Sequence, residues 1–301
     1  MKIKISYKIF MMTLVVFVIH LDPVCGREIQ DFTTQRVLIP DHPQRIVTLA
    51  PSLGELTADL LEDNLEKIVG VSELSYDPPA LKKVENIGSY HRFNLEKVIS
   101  LKPDLIFATQ DGNSKDQILA LRERKFPVVV VSTQSFQQIE ESILLMAKSL
   151  GREEAGQRLV RRFHQGLEHL RQRAREHPAL RTFIHLNEEP LITAGKKSFL
   201  SEAIEAVGAK NVYSGAEATY PRPSLEDVIQ KDPDVILILA FSQDLSTLEK
   251  IKKNWEKFSK MKAVRENRIL ILKSDELLRP TLRMLEGLSR LEKLLYGEGK
   301  K

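Results

Sequence analysis

A thirteen-residue stretch occurs twice in this chain, and the repeat constrains the fold more than any other feature. Asn94-Leu95-Glu96-Lys97-Val98-Ile99-Ser100-Leu101-Lys102-Pro103-Asp104-Leu105-Ile106 returns as Ser224-Leu225-Glu226-Asp227-Val228-Ile229-Gln230-Lys231-Asp232-Pro233-Asp234-Val235-Ile236, offset by 130 residues. Asn94 and Ser224 are favoured N-cap residues, so each copy opens a short helix. The Pro-Asp pair stops that helix, and an apolar run follows in each copy, Leu105 to Ala108 and Val235 to Ala240. Short apolar runs after a breaker read as buried parallel strands. Two matching helix-to-strand units imply two similar lobes, and a cleft between lobes is where small ligands bind.

The rest of the chain extends that plan. Residues 27–44 read as an extended lead-in. Strands are expected at 46–49, 68–71 and 128–131, and helices at 53–61 and 114–125. The second half repeats the order, with a strand at 182–186, a helix at 198–207, helical residues at 245–262 and a last strand at 269–272. Pro280 opens a terminal helix running to about Tyr296. Alternation at this spacing means βα units and mainly parallel sheets. Between the halves, Ala155, Leu159, Phe163, Leu167, Leu170 and Ala174 recur at three and four, the face of one long helix over 152–176. About 25 residues make a rod of roughly 37 Å. Its seven arginines read as a solvated face, and the rod reads as a stiff strut joining the lobes. The expected fold is therefore α/β, two lobes with central parallel sheets joined by one long helix. The expected divisions are 1–26, 27–150, 151–178 and 179–301.

Residues 1–26 read as an export signal. Lys2, Lys4 and Lys8 precede the apolar run Ile9 to Leu21, and Val24 and Gly26 offer small residues for cleavage before Arg27. The alternative is a lipid anchor at Cys25, the only cysteine. The expected location is the periplasm. The net charge of +4 becomes +2 once three lysines and one aspartate of this segment are removed. That near-balance gives no footprint for nucleic acid.

Chemistry-bearing motifs of enzymes are not found: no phosphate-binding glycine loop, nucleophile elbow or zincin helix occurs in the mature chain. Two loops are richer. Tyr90, His91 and Arg92 stand just before the first repeat unit, and Tyr220 and Arg222 just before the second. Aromatic and cationic groups at matching points of two facing lobes suit a large, flat, partly polar ligand. Tyr76 in the Tyr-Asp-Pro-Pro loop and Phe241 after the second apolar run complete the candidate ligand-binding set. Glu96 and Glu226 lie in first helical turns, where the helix dipole favours a carboxylate. As a pair at equivalent points of two lobes, they also form a docking feature for a twofold-related partner carrying arginines.

The runs Ser75 to Pro79, Gly88 to Phe93 and Asn94 to Ile106 resemble the helical-backbone class of periplasmic binding proteins for ABC importers. The second lobe contributes Thr193 to Ser198, Tyr220 to Glu226 and Ile251 to Trp255. That class carries cobalamin, haem and ferric siderophores, and the likeness is greatest to its cobalamin-binding branch. The resemblance implies two α/β lobes joined by one long helix. It implies capture of cobalamin or a related corrinoid in the cleft, with no catalysis, no cofactor and no resident metal. Delivery to an ABC permease dimer follows, with Glu96 and Glu226 as the docking carboxylates and the binding protein as a monomer. The cobalamin branch has tryptophan where this chain has Tyr90 and Tyr220. The alternatives within the class are a siderophore, for which Arg92, Arg222, Lys196 and Arg279 would serve, and haem, for which Tyr76, Tyr90 and His91 offer ligands to iron.

Overall fold

The structure is a computed structural model and describes residues 26–240 and 245–297. The export segment before Gly26 and the candidate Phe241 lie outside the described residues.

The first lobe is built on a five-stranded parallel sheet in the order β5-β4-β3-β6-β7. Its strands are β3 (Ile46–Thr48), β4 (Ile68–Val71), β5 (Glu85–Asn86), β6 (Leu105–Thr109) and β7 (Val128–Val131). The helices of this half are α1 (Pro51–Leu61), α2 (Leu95–Ser100), α3 (Lys115–Glu123) and α4 (Phe136–Leu150). β6 and β7 are buried at every position, although β7 is an edge strand, because both faces of a parallel sheet are covered. The lead-in is not merely extended: β1 (Gly26–Gln30) and β2 (Arg36–Pro40) pair as an antiparallel hairpin. Ile29, Val37 and Ile39 drive it, because all three are buried in the main core.

The second lobe holds a four-stranded parallel sheet in the order β11-β10-β8-β9. Its strands are β8 (Arg181–His185), β9 (Lys210–Asn211), β10 (Val235–Ala240) and β11 (Ile269–Lys273). The helices are α6 (Phe199–Ala206), α7 (Leu225–Lys231), α8 (Leu245–Glu256), α9 (Lys262–Arg265) and α10 (Met284–Tyr296). The helical run expected over 245–262 is thus two pieces. The terminal helix starts at Met284, four residues after Pro280.

The repeat explains itself in space. Asn94 and Ser224 cap α2 and α7, accepting from the backbone N–H of Lys97 at 3.0 Å and Asp227 at 3.1 Å. The aspartate of each Pro-Asp pair then ties its strand to a neighbour. Asp104 accepts from the N–H groups of Gln44 and Arg45 at 2.8 Å each, and Asp234 accepts from the N–H of Arg181 at 2.8 Å. The two arginines reply in kind: Arg45 donates to the carbonyl of Leu101, and Arg181 to those of Lys231 and Asp232. Each latch satisfies carbonyl groups left open at a helix C-terminus.

The long helix is α5 (Glu153–Ala174), 22 residues and so about 33 Å. It joins the halves, but it is not a bare rod. Its apolar stripe belongs to one core that also takes in Ile143 and Ala147 of α4, Ile204 of α6 and Leu288 of α10. Phe136 and Phe163 meet edge to face at 5.8 Å. Arg173, expected on a solvated face, forks onto Glu292 of α10 with contacts of 2.6 to 3.0 Å.

Candidate functional site

Ligand clefts of open parallel sheets form beyond the carboxyl ends of the strands. Here the ends of β3, β6 and β7 face loops of the second lobe. Together they line a cavity of about 470 Å³, within the range of small-molecule pockets. The first lobe contributes Pro51, Ser52, Tyr90, His91, Thr109, Gln110, Asp111, Thr133 and Gln134. The second contributes Ser198, Phe199, Thr219, Tyr220, Leu278, Arg279 and Pro280. An adjoining hollow of about 440 Å³ shares His91, Phe199, Tyr220 and Leu278 and adds Leu186, Leu200 and Leu239.

Tyr90 is held from behind. Gly88 and Phe93 form an antiparallel bridge that closes the 89–92 loop. The buried Asn113 side chain donates to the carbonyls of Leu49 at 2.8 Å and Tyr90 at 2.6 Å. Burial first, and then the nearby Asp111 carboxylate and the Tyr220 phenol, push the Tyr90 hydroxyl up, so it stays neutral. Asp111 is itself anchored, accepting from the backbone and hydroxyl of Thr133 at 2.5 and 3.0 Å. His91 lies against Tyr90 with ring centroids 4.5 Å apart, and its Nδ1 is 3.2 Å from the carbonyl of Gly112.

Tyr220 comes from the opposite wall. Residues 193–196 pair with 216–221 through backbone bonds: Thr193 to Pro221 at 3.1 Å, Gly195 to Thr219 at 2.9 Å and Lys196 to Ala216 at 2.9 Å. The two segments approach so closely that a Cβ at Gly195 would overlap the carbonyl of Ala218. Tyr220 remains 46% exposed at the mouth, a large aromatic side chain open to a ligand.

The other candidates fall elsewhere. Tyr76 does not line the cavity. Its hydroxyl bonds the Asp275 carboxylate, and its ring lies 4.6 Å from the Arg279 guanidinium. It is part of a contact between the lobes, because a loop carrying its own partner across the interface has no free hydroxyl to offer. Arg92 and Arg222 are exposed and stand outside the lining. Lys196 is exposed, 3.4 Å from Glu217. Arg279 does reach the cavity but is 2% exposed and ion-paired with Glu55. Glu96 and Glu226 are exposed in the first turns of α2 and α7.

Sequence reasoning missed Asp111, Thr133, Gln134, Ser198 and Phe199. Their signal was position, since Asp111 and Thr133 both follow the carboxyl ends of buried strands. Among the described residues, no three His, Cys, Asp or Glu side chains gather as a metal site, and no helix is long and apolar enough to cross a membrane.

Known proteins share both the sequence and the shape. The vitamin B12-binding protein of Vibrio cholerae serotype O1 is 31% identical over 262 residues, covering 86% of this chain and 92% of that one. The crystal structure of the periplasmic vitamin B12 binding protein of Vibrio cholerae superposes with a TM-score of 0.73 at 29% identity, over 84% of this chain and 96% of that chain. A periplasmic heme-binding protein from Roseiflexus sp. RS-1 has the same fold, with a TM-score of 0.73 at 24% identity over 84% and 98% of the two chains. With residues 46–276, from the start of β3 to just past β11, matching the periplasmic binding protein family, this chain belongs to the periplasmic binding proteins.

Proposed function

We propose that this protein captures cobalamin or a related corrinoid in the inter-lobe cleft and delivers it to an ABC permease. The observation that carries the reading is the placement of Tyr90 and Tyr220 on opposite walls of one cavity. A flat macrocycle offers two apolar faces, and an aromatic ring on each wall suits them. Its polar fringe needs hydrogen bonds, for which Ser52, Thr133, Ser198 and Thr219 stand on the lining. The likeness to vitamin B12-binding proteins supports the same ligand class. The protein binds and hands over its ligand without turning it over. Residues 1–26 direct export, and the exposed Glu96 and Glu226 meet arginines of the two permease subunits.

Haem is the second reading, favoured by Tyr90 and His91 side by side on the lining, where either could reach the iron of a bound haem. Isothermal calorimetry against cyanocobalamin, hemin and a ferric siderophore separates the readings. We expect saturable one-site binding of cyanocobalamin. Heat from hemin or the siderophore, with none from cyanocobalamin, overturns the corrinoid assignment.

A further inference from the structure

The second lobe holds another concavity, of about 390 Å³, that shares no lining residue with the inter-lobe cleft. It opens at the end of β8, between α8 and the loop that the Asn187–Ile192 bridge closes. Leu191, Leu225, Trp255 and Phe258 supply apolar walls, and Leu225 is 38% exposed although it caps no core.

The base is His185, only 2% exposed. The Trp255 indole N–H donates to its Nδ1 at 3.1 Å. A ring nitrogen that accepts carries no proton, so the neutral imidazole has its hydrogen on Nε2. Burial keeps the ring neutral by lowering its pKa to about 4. The Nε2 atom has no partner in the protein. A buried donor without an acceptor is costly, and native structures rarely leave one.

No rim group accepts from Nε2. Asn254 donates to Glu188 at 2.7 Å, and Lys257 donates to the Asn254 carbonyl oxygen at 2.8 Å. The rim thus carries one charge of each sign, Glu188 and Lys257, and favours neither an anion nor a cation.

We propose that this concavity binds a small uncharged molecule with an apolar ring or branched body and one hydrogen-bond acceptor, a carbonyl or ring nitrogen, which takes the His185 Nε2–H. The site is separate from the corrinoid reading and stands or falls without it.

The chain has a single tryptophan, Trp255, so one indole N–H resonance reports this site alone. The mature protein is titrated with cyclohexanone while the indole ¹H–¹⁵N signal is followed. We expect a saturable shift. His185→Phe removes the donor and should weaken binding about tenfold. His185→Gln keeps an acceptor for the indole and a donor for the ligand, and should restore most of the affinity. Leu191→Phe fills the concavity from the loop, leaves the His185–Trp255 bond in place and should abolish the shift. If His185→Phe fails to fold, Leu191→Phe decides. The proposal is overturned by the absence of a saturable shift up to the solubility limit of cyclohexanone, or by an unchanged affinity in Leu191→Phe.

Discussion

The Arg279 guanidinium donates to the Glu55 carboxylate at 2.6 Å, across the two lobes and 224 positions of sequence. Both side chains are almost wholly buried. Thr281 donates to the second carboxylate oxygen at 3.2 Å, and the other arm of Arg279 donates to the carbonyl of Leu74 at 2.9 Å. Arg283 adds a contact to Asp77, and the backbone N–H of Phe136 donates to Glu202 at 2.7 Å. The lobes are therefore joined by paired polar groups beside the cleft, in addition to the apolar stripe of α5.

Breaking that pair should be expensive. Arg279→Met leaves the Glu55 carboxylate buried without its main partner, a change that costs about 3–5 kcal/mol in such pairs. Arg283 stands 3.6 Å from Glu55 and compensates in part, so the lower end is expected. Urea unfolding of the variant measures the loss, and adding Glu55→Gln should recover some of it.

The same contacts resist rotation of one lobe against the other. Ligand binding should leave the radius of gyration nearly unchanged in small-angle scattering, because closure would have to break the Glu55–Arg279 pair or bend α5. A large fall on ligand addition contradicts this.

In the cleft, Tyr90→Ala and Tyr220→Ala should each weaken ligand binding about tenfold, through lost aromatic contact of about 0.5–1.5 kcal/mol beyond area burial. Gly112→Ala tests the position of Tyr90 without removing it. A Cβ at Gly112 would overlap the Tyr90 hydroxyl, so the ring must move. Calorimetry should show reduced affinity in Gly112→Ala with little change in Tm.

Docking should separate from binding. Glu96 and Glu226 are exposed and absent from the cavity lining, so the double variant Glu96→Arg, Glu226→Arg should keep its ligand affinity. Uptake by cells carrying the permease should be lost, since unlike charges steer and orient such complexes. Retained uptake, or affinity falling along with uptake, argues against the docking role.

Stability should depend on pH through His185. The unfolded imidazole takes up a proton near pH 6.5, whereas the buried native ring is held down to about 4. Native stability is therefore full above the unfolded value and falls as pH drops from 6.5 toward 4, by at most about 3 kcal/mol. Urea midpoints of the wild type and His185→Gln, compared between about pH 7 and pH 4.5, isolate this group, since all others titrate in both proteins. Equal slopes would show that His185 is not buried neutral.

The sequence alone determined the two-lobe α/β plan, because its signals are local. The caps at Asn94 and Ser224, the Pro-Asp breaks and the apolar runs at 105–108 and 235–240 each act within one helical turn or one strand. The helix at 136–150 was equally legible, with a Ser135 cap, buried residues at helical spacing and Gly151 in the left-handed conformation, although no element is read there from sequence. The hairpin at 26–40 was less so, since its strands are short and are held by Asp31, which accepts from the N–H of Val130 at 3.0 Å. What only the tertiary structure decided is which side chains share a space. Tyr90 and Tyr220 could be paired from the repeat because internal symmetry predicts equivalent loops. Tyr76 could not be placed, because its partners Asp275 and Arg279 lie about two hundred residues away, and nothing in a local pattern encodes a contact across two lobes.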